Sequence, residues 1–168
     1  VSEKNLETMD IEFQAIKNIC NVAKINKVKR IIYSSSSGVY GKLNYKVNVK
    51  ENAPVAPASA YAVAKRSAEI YLKNFYDDYG ISSIAVRLFN VYGPRQDERM
   101  VISRFISNAS KNKPIHIYDD GNQTRDFTYV DDCVKVFDLL SKKAKGFQIL
   151  NSSKGKDYSI NFLAKKIV

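Results

Sequence analysis

Two hydrophobic periods alternate along this chain, and that alternation constrains the fold more than any other feature. Over residues 5–26, apolar side chains recur at Leu6, Met9, Phe13, Ile16, Ile19, Cys20 and Ala23. Steps of three and four put them on one face of an amphipathic helix. Residues 28–33, VKRIIY, are short and β-branched and read as a buried strand. A second helix is expected over 59–79, opened by Ser59 as N-cap and stopped by Gly80, and 81–89 reads as another buried strand. Helix 101–111, strand 115–118, a turn through Asp119-Asp120-Gly121-Asn122, helix 130–142, strand 147–150 and a helix opening at Ser159 continue the pattern. The serine-rich segment 34–41 reads as a loop, and 42–58, with Pro54 and Pro57, as an irregular excursion. Helix–strand alternation of this kind belongs to the α/β class, with a parallel sheet flanked by helices.

Composition narrows the class further. With 168 residues, 45% apolar and 26% charged, the chain is long enough for a real core and too apolar for a disordered tail. No apolar run approaches the ~18–20 residues of a membrane-spanning helix, so no membrane association is expected. The net charge of +10 invites a nucleic-acid reading. The cations are scattered from Lys4 to Lys166 rather than clustered on one helix or interleaved with aromatics, so a solvated surface is the better explanation and no nucleic-acid partner is expected. Cys20 and Cys133 lie far apart, and His116 is the single histidine, so neither a disulfide framework nor a metal site is expected. With no basic n-region or apolar h-region at the start, the expected compartment is the reducing cytoplasm.

Parallel sheets bind ligands beyond the carboxyl ends of their strands. Two such ends carry polar, Gly-containing segments: the serine run after Tyr33, and Asn90-Val91-Tyr92-Gly93-Pro94-Arg95 after Phe89. Tyr61 and Lys65 stand four apart on the expected helix and so share a face. An ammonium beside a phenol favours the phenolate, which is what a general base needs, but this spacing is also common on ordinary helix surfaces. Ser36, at the mouth of the first strand, carries a hydroxyl that can hydrogen-bond a substrate hydroxyl, or it is simply part of a serine-rich turn.

Four segments are more specific together: Tyr33-Ser34-Ser35-Ser36-Ser37-Gly38-Val39-Tyr40-Gly41; Pro57-Ala58-Ser59-Ala60-Tyr61-Ala62-Val63-Ala64-Lys65; Arg87-Leu88-Phe89-Asn90-Val91-Tyr92-Gly93-Pro94-Arg95-Gln96; and the run from Tyr118 to Asp132, YDDGNQTRDFTYVDD. In this order the chain resembles the extended short-chain dehydrogenase/reductase family, and in particular its NAD-dependent nucleotide-sugar 4-epimerases. The resemblance implies a doubly wound, Rossmann-like NAD domain, present in part, with a smaller interleaved α/β substrate-binding lobe. Residues 1–92 would be the C-terminal half of the NAD domain and 93–168 the substrate lobe, with about 129–150 returning to the NAD domain.

The same resemblance implies roles. Tyr61 would be the acid/base at the sugar 4-hydroxyl, Lys65 would hold the nicotinamide ribose, and Ser36 would bind the same sugar hydroxyl. Ser34, Ser35 and Leu88 would line the cofactor site, with backbone near Phe89 beside the nicotinamide. Asn90 would hydrogen-bond the sugar or its diphosphate, Arg125 would pair with the diphosphate through its fork of donors, and His116 and Tyr118 would cradle the base. A UDP-sugar substrate and a homodimer built on the two long helices are expected. The alternatives are a dehydratase or reductase of the same family, or a non-catalytic regulatory or RNA-binding relative. Dehydratases carry an Asp-Glu pair, or at least a Glu, after the corresponding Ser/Thr, where this chain has Ser37 and Gly38. On the first helix the family carries Asn and Gly where this chain has Glu12 and Ala15. The family's Gly-x-x-Gly-x-x-Gly loop is absent, so the first strands are expected upstream and part of the substrate lobe downstream.

Overall fold

The computed structural model describes the backbone of residues 3–42 and 49–168 and the side chains of residues 7–42 and 49–168. The side chain of Leu6, and positions 43–48 of the expected excursion, lie outside what is described. The chain divides into two compact units, Val1–Leu88 with Val136–Ser152, and Phe89–Lys135 with Ser153–Val168.

In the first unit, β1 (Arg30–Ser36), β2 (Ser82–Leu88) and β6 (Phe147–Ser152) form a parallel sheet in the order β1-β2-β6. Helices α1 (Glu3–Ile25) and α2 (Ala60–Tyr79) cover one face, where Ile16, Cys20 and Ala23 of α1 meet Ala68, Leu72 and Phe75 of α2 and Ile31 of β1. The opposite face is covered from α4 (Val130–Lys143): Val136, Phe137 and Leu140 pack on Ile32, Ile84, Val86 and Leu150. Successive side chains of a strand point to opposite faces, so β2, covered on both, is buried from Ser83 to Arg87. That arrangement is the expected doubly wound α/β class.

Local signals explain the helix ends. The Ser59 hydroxyl accepts from the Ala62 N–H at 3.2 Å and caps α2, and Gly80 closes it at φ +68° with its N–H bonded to the Tyr76 carbonyl. The stripe on α1 is narrower than its periodicity implies: Ile16 and Cys20 are buried, whereas Phe13 and Ile19 are about half exposed.

The serine run differs from the sequence expectation. Ser34, Ser35 and Ser36 belong to β1, in register with Val86, Arg87 and Leu88, and only Ser37–Tyr40 turn away as a single 3-10 turn. Ladder pairing with a buried central strand overrides the weak strand propensity of serine.

In the second unit, α3 (Val101–Ser110) and α5 (Ile160–Ile167) enclose a small core of Phe105, Ile160 and Ala164 with Val101, Ile115, Phe127 and Leu163. Two short pairings escaped the sequence reading: β3 (Val91–Tyr92) runs parallel to β5 (Thr128–Tyr129), and β4 (Thr124–Asp126) antiparallel to β7 (Asp157–Ser159). Elements of two or three residues carry no detectable period. The strand expected at 115–118 does not form. The segment has no regular secondary structure, Ile115 packing into the core while Tyr118 is 65% exposed. An alternating apolar run satisfies core packing as well as it satisfies a sheet.

Candidate active site

At the carboxyl edge of the sheet, Ser36, Leu88 and Ser152 stand in register across the three strands. The Ser36 hydroxyl accepts from the Gly38 N–H at 3.1 Å, which caps the 3-10 turn and leaves its own proton free to donate. A Cβ at Gly38 would stand 3.3 Å from Ser36 Oγ and 3.7 Å from Ala62 Cβ, so this turn lies against the opening of α2. The first turn of α2 presents Tyr61, which is 45% exposed, and one turn on Lys65 is buried.

The Lys65 ammonium lies 5.4 Å from the centre of the Tyr61 ring and 4.9 Å from that of Tyr33. It is also ion-paired to Glu12 of α1, at 2.9 Å to Oε1 and 3.0 Å to Oε2. Tyr33 of β1 donates its hydroxyl to Glu12 Oε2 at 3.1 Å. Burial first, then the charge and acceptance of Glu12, push the Tyr33 phenol well above the ordinary tyrosine range, so Tyr33 stays a neutral donor. An ammonium has three donors. Glu12 engages up to two of them and leaves at least one for a ligand hydroxyl or for Tyr61.

Ser35 points the other way. It is buried and donates to Glu69 Oε1 at 2.6 Å, inside a network in which Arg87 makes a fork to Glu69 at 2.9 and 2.8 Å and Arg66 reaches it at 2.9 Å. Burial alone would raise the Glu69 carboxyl; the bonds from Arg87, Ser35 and Arg66 outweigh it and hold the group below its usual value. Arg87 also donates to the Glu51 carbonyl at 3.1 Å and stacks over Tyr40, whose hydroxyl donates to Asn151. Ser34, on the strand face opposite Ser35, is exposed, and Leu88 packs toward α4.

The second unit gathers the residues expected around a nucleotide sugar. A cleft of about 190 Å³ is lined by Asn90, Arg104, His116, Tyr118, Gln123 and Arg125, among others. The Asn90 amide donates to the Asp126 carbonyl at 2.9 Å, which fixes its orientation. The Asp126 carboxylate accepts from the N–H groups of Lys154 and Gly155 and ties the β4–β7 ribbon together. Arg125 is exposed and bonded to the Thr124 carbonyl at 2.7 Å. The Arg104 guanidinium sits 5.0 Å over the Tyr118 ring, and Gln123 donates to the Tyr118 carbonyl. Two cations and several free donors suit an anionic, hydroxyl-rich ligand. A larger groove of about 490 Å³, floored by Tyr92, Pro94, Ile102 and Ile106, contains none of the expected site residues; chemistry, not size, favours the smaller cleft.

Sequence reasoning named Ser36, Tyr61, Lys65, Asn90, His116, Tyr118 and Arg125. It assigned no role to Glu12, Tyr33 or Arg104. One signal was present for Glu12: it lies three residues after Met9 and four before Ile16, a carboxylate on the inward face of α1.

Residues 2–158 match the family described as NAD dependent epimerase/dehydratase. A putative UDP-glucose 4-epimerase of Methanocaldococcus jannaschii is 41% identical over 158 residues, covering 92% of this chain and 51% of the relative. A UDP-N-acetylglucosamine 4-epimerase of Methanobrevibacter ruminantium, solved with UDP-N-acetylmuramic acid, shares 38% identity with a TM-score of 0.88, over 93% of this chain and 51% of that one. A UDP-glucose 4-epimerase of Thermotoga maritima, solved with UDP-glucose, shares 30% identity with a TM-score of 0.92, over 97% and 54%. The chain spans about half the length of these relatives. The family match across nearly the whole chain, the parallel α/β fold and the Tyr61–Lys65 pair at its carboxyl edge agree: this chain belongs to the NAD dependent epimerase/dehydratase family.

Proposed function

We propose that the whole protein is an NAD-dependent 4-epimerase of UDP-sugars, with this chain supplying its acid/base centre and much of its substrate lobe. The observation that carries the reading is the Lys65 ammonium, held beside the exposed Tyr61 ring with a donor to spare at the sheet's carboxyl edge. That donor set fits the ribose diol of a dinucleotide, which Lys65 would hold. When bound, NAD supplies a hydride acceptor that is regenerated in each cycle.

Tyr61 would take the proton from the sugar 4-hydroxyl as C4 is oxidised to the ketone. Ser36 donates to that oxygen. Once the other sugar face is presented and C4 is reduced again, Tyr61 would give its proton back to the oxygen, with no net oxidation. Arg125 binds the diphosphate, Asn90 the sugar or diphosphate, and His116 and Tyr118 flank the base. On this reading the first unit carries the cofactor contact and the acid/base residues, and the second binds the nucleotide part of the substrate. Water elimination asks for a free carboxylic acid beside Ser36. Ser37 and Gly38 offer none, and Glu12 is engaged by Lys65 and Tyr33, which favours epimerisation over dehydration.

We also place the protein in the cytoplasm, as a homodimer built on α1 and α2; the exposure of Ile11, Ile19, Val22 and Ile70 on these helices supports that surface. No helix of the described residues is long and apolar enough to cross a membrane.

The test is incubation of the full-length protein with UDP-hexoses, reading the C4 epimer by NMR. Tyr61→Phe should slow turnover by roughly 10²–10⁴-fold while UDP-sugar binding holds. Arg125→Ala should weaken that binding by roughly 10–150-fold, the loss of a charge-assisted hydrogen bond. Absence of any C4 epimer with the parent protein would overturn the reading, and full activity of Tyr61→Phe would remove Tyr61 from it.

A further inference from the structure

Lys65 ends a flexible four-carbon side chain whose rotamer freedom must be lost before its ammonium can act at one point. α2 alone does not fix that point, because Tyr61 one turn earlier offers a ring face 5.4 Å away and no anionic acceptor. Glu12 does offer one. It arrives from α1, 53 positions away in sequence, and both its oxygens lie within 3.0 Å of Nζ. The Lys65 and Glu12 side chains are only 10% and 25% exposed, so solvent screens the pair weakly. The carboxylate is itself oriented by the Tyr33 hydroxyl, and the Tyr33 ring forms one wall against the ammonium. Three elements, α1, β1 and α2, thus converge on a single ammonium.

We propose that Glu12 is a positioning residue: it tethers the Lys65 ammonium, with Tyr33 as its support, so that the remaining donor is held for the cofactor ribose and the acid/base tyrosine. This rests on the epimerase reading for the identity of the reaction, while the tether itself stands on the Glu12–Lys65–Tyr33 geometry. Glu12 touches neither substrate nor cofactor in this scheme. Its loss therefore acts through Lys65: it lowers kcat and loosens cofactor, and leaves the interaction of the second unit with a UDP-sugar as it was.

The experiment compares Glu12→Ala, Glu12→Gln and the parent in the full-length protein. In Glu12→Ala, kcat should fall on the order of 10–100-fold, the cost of a misplaced group in a preorganised site, with a nearly unchanged KM for UDP-sugar and faster loss of bound NAD. Glu12→Gln should recover part of that loss, because its amide oxygen still accepts from Lys65. A second readout needs no turnover: acetylation of Lys65 by acetic anhydride, followed by peptide mass spectrometry. Lys65 should be labelled several-fold faster in Glu12→Ala than in the parent, while a distant exposed lysine such as Lys135 is labelled equally in both. A Glu12→Ala protein with parental kcat and parental Lys65 labelling would overturn the tether. If the parent turns over no UDP-sugar, the epimerase reading falls, and labelling alone decides the tether: faster in Glu12→Ala supports it, equal labelling overturns it. Should Glu12→Ala not fold, the same labelling comparison is made with Glu12→Gln, where an unchanged rate again overturns it.

Discussion

Beneath the carboxyl edge of the sheet, Glu69 and Arg87 are 0% and 1% exposed and joined by a two-pronged bond of 2.9 and 2.8 Å. Replacing Glu69 by Gln keeps the shape and removes the charge, leaving the Arg87 guanidinium buried beside a neutral amide. At this burial no solvent discount applies, and an uncompensated buried charge costs about 3–5 kcal/mol. Arg87→Met should cost a similar amount, because Glu69 then keeps only Ser35 and the partly exposed Arg66. The double variant should lie nearer the parent than either single, since no fully buried charge is left unmatched and Arg66, 31% exposed, can turn to solvent. At about 2–4 °C per kcal/mol for a domain of this size, each single variant should melt roughly 6–20 °C lower. The assay is thermal and urea unfolding of the full-length protein followed by circular dichroism, completed as a double-mutant cycle.

The network also predicts the sign of a pH effect. The Glu69 carboxyl is held below its ordinary 4.5, so its contribution is complete above that pH and is lost as pH falls through the lowered folded-state value. The parent should therefore lose stability on acidification below 4.5 more steeply than the double variant. A single-variant loss under about 1 kcal/mol, or a double variant equal to the sum of the singles, would refute the reasoning.

Two further outcomes follow from packing. Gly121 has φ +70°, and a Cβ there would stand 2.2 Å from Asn161 Oδ1 and 2.8 Å from Ile117 Cγ2; Gly121→Ala should cost about 2–4 kcal/mol, and a melting point equal to the parent's would contradict that. Cys20 is fully buried and its thiol is pushed up to about 11 by burial, so iodoacetamide near neutral pH should leave it unmodified until the protein is unfolded in urea; rapid labelling of the native protein would contradict the packing of α1 on α2.

How much of this was legible in the sequence depended on distance along the chain. Ser59 capping α2, Gly80 ending it and the Tyr61–Lys65 spacing are relations within a few residues, and each stands in the structure as the sequence implied. The serine run escaped because its strand character comes from Val86, Arg87 and Leu88, some fifty positions later, not from serine itself. Residues 115–118 misled for the opposite reason: their alternating apolar pattern is real, but packing into the Phe105 core uses it without a neighbouring strand.

The candidate site divides in the same way. The Tyr61–Lys65 spacing and Ser36 at a strand end could be picked out locally, while Asn90 and Arg125 were marked by the resemblance of their segments to the family. Glu12 was visible only as a carboxylate on an inward helix face; its partners, Tyr33 at 21 positions and Lys65 at 53, exist only once α1 and α2 pack on one face of the sheet. Local periodicity and capping determined the elements and their class. Which buried charge meets which partner was decided by tertiary packing, because a charge removed from water must find its counter-charge in space, and sequence distance places no constraint on where that counter-charge comes from.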